Sequence, residues 1–139
     1  MRNPTPLQSP EPQTFTPSFA REATFTRKGL RSFWEYRDLG VNEGTHGHVR
    51  ATVLRAIREC PEGGTGWHYH ELDFQMYYVL KGTLRTLVEG QGELTFSAGD
   101  SWLQPPRTKH NVVYFSADLE LLELIAPAEY GTETCDPAL

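Results

Sequence analysis

The chain has 139 residues and a formal net charge of -5, a length that suits one domain with a single core burying about two thirds of its unfolded surface. The acidic balance and scattered Lys and Arg residues exclude the clustered basic field that nucleic-acid binding needs. No apolar run reaches bilayer-spanning length, and Met1-Arg2-Asn3-Pro4 leads into prolines and polar residues, so the expectation is a soluble, cytoplasmic protein with no membrane or nucleic-acid partner.

Residues 1–24 carry Pro4, Pro6, Pro10, Pro12 and Pro17 among Thr, Ser and Gln, with Leu7, Phe15 and Phe19 as large apolar groups. Proline at this density breaks helices and central strands, which predicts a flexible arm or an extended strap over a partner surface. Phe15, Phe19 and Phe25 supply docking groups, and in a homodimer they would reach the neighbouring subunit.

From residue 25 to residue 130 the pattern is that of a folded domain, with 131–139 as a tail. Ser32-Phe33-Trp34-Glu35-Tyr36-Arg37 reads as an aromatic strand ending at Asp38-Leu39-Gly40. Residues Val49 to Glu59 alternate in strand fashion, and Cys60-Pro61-Glu62-Gly63-Gly64 is a turn. Met76 to Leu80 is an apolar strand closed at Gly82. Thr83 to Glu89 and Glu93 to Phe96 form a hairpin around Gly90-Gln91-Gly92, followed by strands over Asn111 to Phe115 and Leu119 to Ala126. Many short strands with regular turns and no convincing helix predict an all-β sandwich or barrel. Its exposed sheet edges need cover, which favours a homodimer.

Two cysteines, Cys60 and Cys135, are too few for a disulfide scaffold and read as reduced thiols. Cys60 lies close enough in sequence to the His motif described next to be redox-sensitive or ligating. An inert thiol at a strand end is the plainer reading.

In Gly63 to Gly82, GGTGWHYHELDFQMYYVLKG, His68 and His70 leave the same face of one strand. His110 follows a second turn-rich passage, AGDSWLQPPRTKH. Three imidazoles meeting on one side of a small sheet make a divalent-metal site, because neutral imidazole suits Zn, Fe, Ni or Cu better than Mg or Ca. The competing reading is a solvated strand face. His46 and His48 form a second HxH in a Gly-rich loop and read as a surface pair, or as a cap on the pocket mouth. Tyr114, four residues after His110, faces the pocket if the strand is regular. Parity from Gln75 points Tyr77 inward, whereas a β-bulge hands that place to Tyr78. Trp67 and Trp102 belong to the core.

These two stretches resemble the paired motifs of the cupin superfamily. The first has a glycine, HxH, an acid position held by Gln75, and Gly82. The second runs Gly99, Pro105, Arg107, His110. The sequence departs from the pattern where Gln75 replaces Glu, Arg107 replaces glycine and Tyr114 replaces Asn, and where Gly63 lies one residue too close to His68. The resemblance covers about residues 30–127 and implies a double-stranded β-helix, the cupin jelly roll. It further implies a divalent transition metal (Fe, Zn, Ni or Mn) on His68, His70, Gln75 and His110. The implied function is an Fe(II)-dependent dioxygenase or related oxidoreductase acting on a small, anionic, oxygen-chelating substrate. The alternatives are a non-catalytic ligand-binding or sensing module, and a metal-dependent isomerase or lyase. Tyr114 and Tyr78 are the candidate catalytic tyrosines, and Arg50, Arg55 or Arg107 the candidate carboxylate partners. Protons are expected to displace the metal as pH falls through about 6.

Overall fold

The computed structural model describes residues 12–138. Its strands are β1 (Trp34–Asp38), β2 (Arg50–Ala56), β3 (His68–Glu71), β4 (Phe74–Lys81), β5 (Thr83–Val88), β6 (Gly92–Ser97), β7 (Ser101–Leu103), β8 (His110–Phe115), β9 (Glu120–Ala126) and β10 (Gly131–Thr134). They form two five-stranded sheets in the orders β1-β2-β9-β4-β7 and β10-β3-β8-β5-β6. Every pairing is antiparallel. This is the jelly roll expected from the short, turn-punctuated strands. The short helix α1 (Val41–Gly44) lies between β1 and β2. Among the described residues no helix is long and apolar enough to cross a membrane.

Alternation along the strands decides what lies between the sheets. Trp34, Leu54, Val79, Leu84, Val112, Phe115, Leu119 and Leu121 make the buried cluster, with Trp102 packed against it between the stacked rings of Tyr77 and Phe96. Burial of such large side chains contributes about 1.5–3 kcal/mol each and outweighs the modest propensity of any single strand. In β9 the inward series is Leu121, Glu123 and Ile125, so the alternation that buries two aliphatic residues also carries a carboxyl inside.

Two irregularities reset that alternation. In the β5–β8 ladder Thr86 pairs with Val112 but Arg85 pairs with Tyr114, which leaves Val113 as an extra residue in β8. Such a bulge reverses the facing of everything beyond it. Phe115 therefore turns into the core, 3% exposed, and Tyr114 turns out. In the β4–β9 ladder the shift falls between Val79 and Lys81, too late to affect Gln75 and Tyr77.

The ends of the domain differ from expectation. Residues 131–134, expected to be tail, form β10 and pair with β3. The arm is an extended strap only in part and lies on its own domain: Thr14 N donates to the Gly44 carbonyl, His46 Nε2 bonds the Pro12 carbonyl, and Arg37 donates to Ser18. Arg55 sits over the Phe25 ring. Residues 1–11 of the expected arm lie outside the described region.

Gly64 fastens the loop before β3. Its φ of +72° is a conformation that favours glycine, and a Cβ there would meet the Val112 carbonyl oxygen at 1.9 Å. The close approach lets Thr65 N donate to that same carbonyl at 2.9 Å, which ties the loop to the strand that bears His110.

Candidate metal centre and cavity

β3 presents His68 and His70 on one face, and the β3–β8 ladder sets His110 directly opposite His68. All three are buried, at 4–5% exposure. The ring centroids of His68 and His110 are 4.1 Å apart, and one nitrogen from each of the three lies within 4.8 Å of the others. From that spacing small side-chain rotations bring three imidazoles onto one ion.

The tautomers follow from the backbone. His68 Nδ1 lies 2.7 Å from the Gly66 carbonyl and His110 Nδ1 lies 2.9 Å from the Thr108 carbonyl. A carbonyl only accepts, so each Nδ1 carries the proton and each Nε2 presents a lone pair. His70 Nδ1 is held 2.8 Å from Thr132 Oγ1 on β10. Burial pushes the imidazoles away from the charged form. It lowers His68, holds His70 down to about 3 and His110 down to about 4, with the neighbouring imidazoles adding to the latter two shifts. Neutral, oriented imidazoles are what a transition-metal ion requires.

Gln75 is buried beside this cluster, but its amide is already committed. Its Oε1 accepts from Gln104 Nε2 at 3.0 Å, and its Nε2 donates to the Tyr77 hydroxyl at 2.8 Å and to Glu123 Oε2 at 3.2 Å. Gln104 also lies 3.3 Å from His110 Nε2. The expectation that Gln75 turns its oxygen on the metal is therefore corrected: Gln104 stands between it and His110. Cys60 is outside the cluster as well.

The His cluster opens on a cavity of about 810 Å³. Its far wall, on the sheet of β1, β2, β9 and β4, includes Tyr36, Arg50, Tyr77 and Glu123, and Tyr130 closes one side. Glu123 is 6% exposed; burial raises its pKa, against the opposing effects of the Tyr77 hydrogen bond and the Arg50 charge. Burial likewise pushes Tyr36 up to about 12 and raises Tyr77 and Tyr130 as well. The phenols keep their protons, while the carboxyl holds its proton to higher pH than an exposed one would.

Several sequence candidates fall elsewhere. Tyr114 is 39% exposed beneath Arg85, and Tyr78 is 42% exposed on the outer face of β4. Neither lines the cavity, the first because of the β8 bulge and the second because β4 stays regular through Tyr77. Arg55 pairs with Glu35 and Arg107 with Glu71, which leaves Arg50 as the cavity arginine among those expected. His46 is engaged by the strap, and neither it nor His48 lines the cavity. Arg107 takes a φ of +60° and donates its N–H to the His70 carbonyl, so the backbone keeps a glycine-like shape under a different side chain. Glu123 and Arg31 were missed. The β9 alternation marks Glu123, whereas no periodic signal marks Arg31 in its loop.

Residues 58–125 match the family model described as a cupin domain. The chain is a small cupin-domain protein. No curated protein matches this cupin by sequence. Among solved structures it is similar to KdgF from Halomonas sp., with a TM-score of 0.60 at 16% identity over 82% of this chain and 96% of the other. It is similar also to the polyketide cyclase RemF from Streptomyces resistomycificus, with a TM-score of 0.66 at 18% identity over 90% and 88%. A third is FeII HppE, with a TM-score of 0.61 at 10% identity over 80% and 60%. At these identities the likeness is one of fold.

Proposed function

We propose that this cupin is a metal-dependent enzyme that moves a proton on a small, oxygen-chelating, anionic substrate, in the manner of an isomerase or lyase. The observation that carries the metal is the set of three buried histidines, two of whose Nε2 lone pairs are fixed inward by backbone carbonyls. His68, His70 and His110 would hold a divalent transition ion, which when bound supplies a Lewis acid with open positions for substrate oxygens.

The proton chemistry is supported by the opposite wall. Glu123 and Tyr77 are bridged by the amide of Gln75 and face the same cavity as the histidines. A desolvated carboxyl whose pKa burial raises is suited to deliver a proton to a substrate and recover it later. The amide nitrogen of Gln75 donates to both the phenol and the carboxyl and orients the pair. Arg50 balances the ionised form of Glu123. Tyr36, Trp34 and Leu54 line the cavity and would limit water around a bound molecule.

An Fe(II)-dependent dioxygenase acting on a small carboxylate, enol or diketone is the second reading. It is favoured by an all-imidazole donor set and by the fold likeness to FeII HppE.

Protein purified without chelators should contain about one transition-metal ion per chain, and His110→Ala should lose most of it. Wild-type protein should then promote solvent deuterium exchange into small hydroxy and keto acids. Oxygen consumption without exchange would select the dioxygenase. Stoichiometric metal with tight ligand binding and no turnover would leave a sensing module. Equal metal content in wild type and His110→Ala would overturn the three-histidine centre.

A further inference from the structure

Arg31 enters the cavity from the loop ahead of β1. Its Nη2 lies 3.1 Å from His68 Nε2, and its Nη1 donates to the Thr65 carbonyl at 3.2 Å. Its backbone N–H donates to the Tyr36 hydroxyl at 2.8 Å, which fixes the root of the side chain. The guanidinium has five N–H donors and no acceptor, so the short contact to His68 uses the imidazole lone pair. That lone pair is the one a bound ion would take.

Among the described residues the charge of Arg31 is also without a carboxylate partner. Arg55, Arg85 and Arg107 have carboxylate partners, and Arg50 faces Glu123. Among the described residues Arg31 forms no ion pair. Burial lowers its pKa, yet a guanidinium starts from so high a value that it stays charged. Unpaired guanidinium beside three imidazole donors is unfavourable for the isolated protein and favourable for an anion.

We propose that Arg31 is the anion-recognition residue of this centre: it gives up the His68 lone pair to a bound divalent ion and pairs with the oxyanion of a chelating ligand. The ligand class is a small molecule with two acidic oxygen groups, such as a dicarboxylate or a hydroxy acid. One group is for the ion and one for the guanidinium. The inference rests on the metal reading above and adds the residue that selects the ligand's charge.

Two consequences separate this role from a structural one. Arg31 and the ion use one lone pair, so removing Arg31 should leave metal binding equal or stronger. Removing it should weaken anion binding by about tenfold or more, the usual size of a lost charge-assisted hydrogen bond. The experiment titrates Co(II) into wild-type, Arg31→Gln and Arg31→Lys protein, following its visible absorption, and then titrates oxalate into each Co(II)-loaded protein by calorimetry. The expected result is Co(II) affinity equal or higher in Arg31→Gln, oxalate affinity about tenfold or more lower, and a partial recovery in Arg31→Lys, which keeps the charge but not the fork. Unchanged oxalate affinity in Co(II)-loaded Arg31→Gln would overturn the proposal. Parallel loss of Co(II) and oxalate would do so too, since it would make Arg31 a prop for His68. Wild-type protein that takes up no Co(II) would overturn the metal reading itself and the inference with it. Circular dichroism of each variant checks that the fold is retained.

Discussion

Gln75→Glu is expected to destabilise the protein by about 3 kcal/mol or more at neutral pH, the cost typical of an uncompensated buried charge. Gln75 Nε2 lies 3.2 Å from Glu123 Oε2 and 2.8 Å from the Tyr77 hydroxyl. The substitution removes both donations and places a second carboxyl against the first. Two carboxyls sharing one desolvated site cannot both ionise, so the pair holds a proton and its folded-state pKa rises. A raised folded-state pKa gives stability that is present below the unfolded value near 4.3 and lost as pH rises through the folded one. The deficit relative to wild type should therefore be small near pH 4.5 and grow toward pH 7.5. Urea unfolding of both proteins across that range measures it. A variant as stable as wild type that binds Co(II) more tightly would show that side chain 75 faces the ion instead.

Metal-free protein should lose several kcal/mol of stability as pH falls from about 7 to about 4. His70 and His110 have folded-state values of about 3 and about 4, against an ordinary 6.5. Both are depressed, so the unfolded chain takes up protons first and unfolding becomes easier as pH drops through about 6.5. His110 alone accounts for roughly 3 kcal/mol at 1.36 kcal/mol per unit. The same shifts revise the expectation that metal is lost near pH 6. Protons compete with the ion only where the folded-state imidazoles accept them, so Co(II) should stay bound to about pH 5. Thermal unfolding of chelator-treated protein and Co(II) absorbance, both from pH 7.5 to 4.5, test the pair. Stability flat from pH 7 to 5, or Co(II) released at about 6.5, would contradict the burial argument.

The strands and the three histidines were legible because both obey simple periods. His68 and His70 are two apart, and His110 sits at the spacing of a paired motif. The acid inside β9 obeys the same period between Leu121 and Ile125, yet composition makes a glutamate look like an outward residue. Tyr114 was misplaced because one extra residue in β8 leaves no trace in the pattern. Tyr78 was a candidate only on a bulge that β4 does not have at that point. Arg31 was illegible for a different reason. Its position depends on where a non-repeating loop crosses the cavity mouth, held by Tyr36 and Thr65. Gln75 was legible as a buried position, while its partners Gln104 and Glu123 lie 29 and 48 residues away along the chain.

The size of the cavity bears on what fills it. A volume of about 810 Å³ is far more than oxalate displaces. Its lining combines the polar groups of His68, Arg31 and Glu123 with the apolar side chains of Trp34, Leu54, Val112 and Leu30. A ligand that contacts only the polar groups leaves those apolar side chains wet, and its binding should show little change in heat capacity. A ligand with an apolar body should release that water and bind with a clearly negative heat-capacity change. Calorimetry at several temperatures can therefore rank candidate substrates by how much of the chamber they fill, before any reaction has been observed.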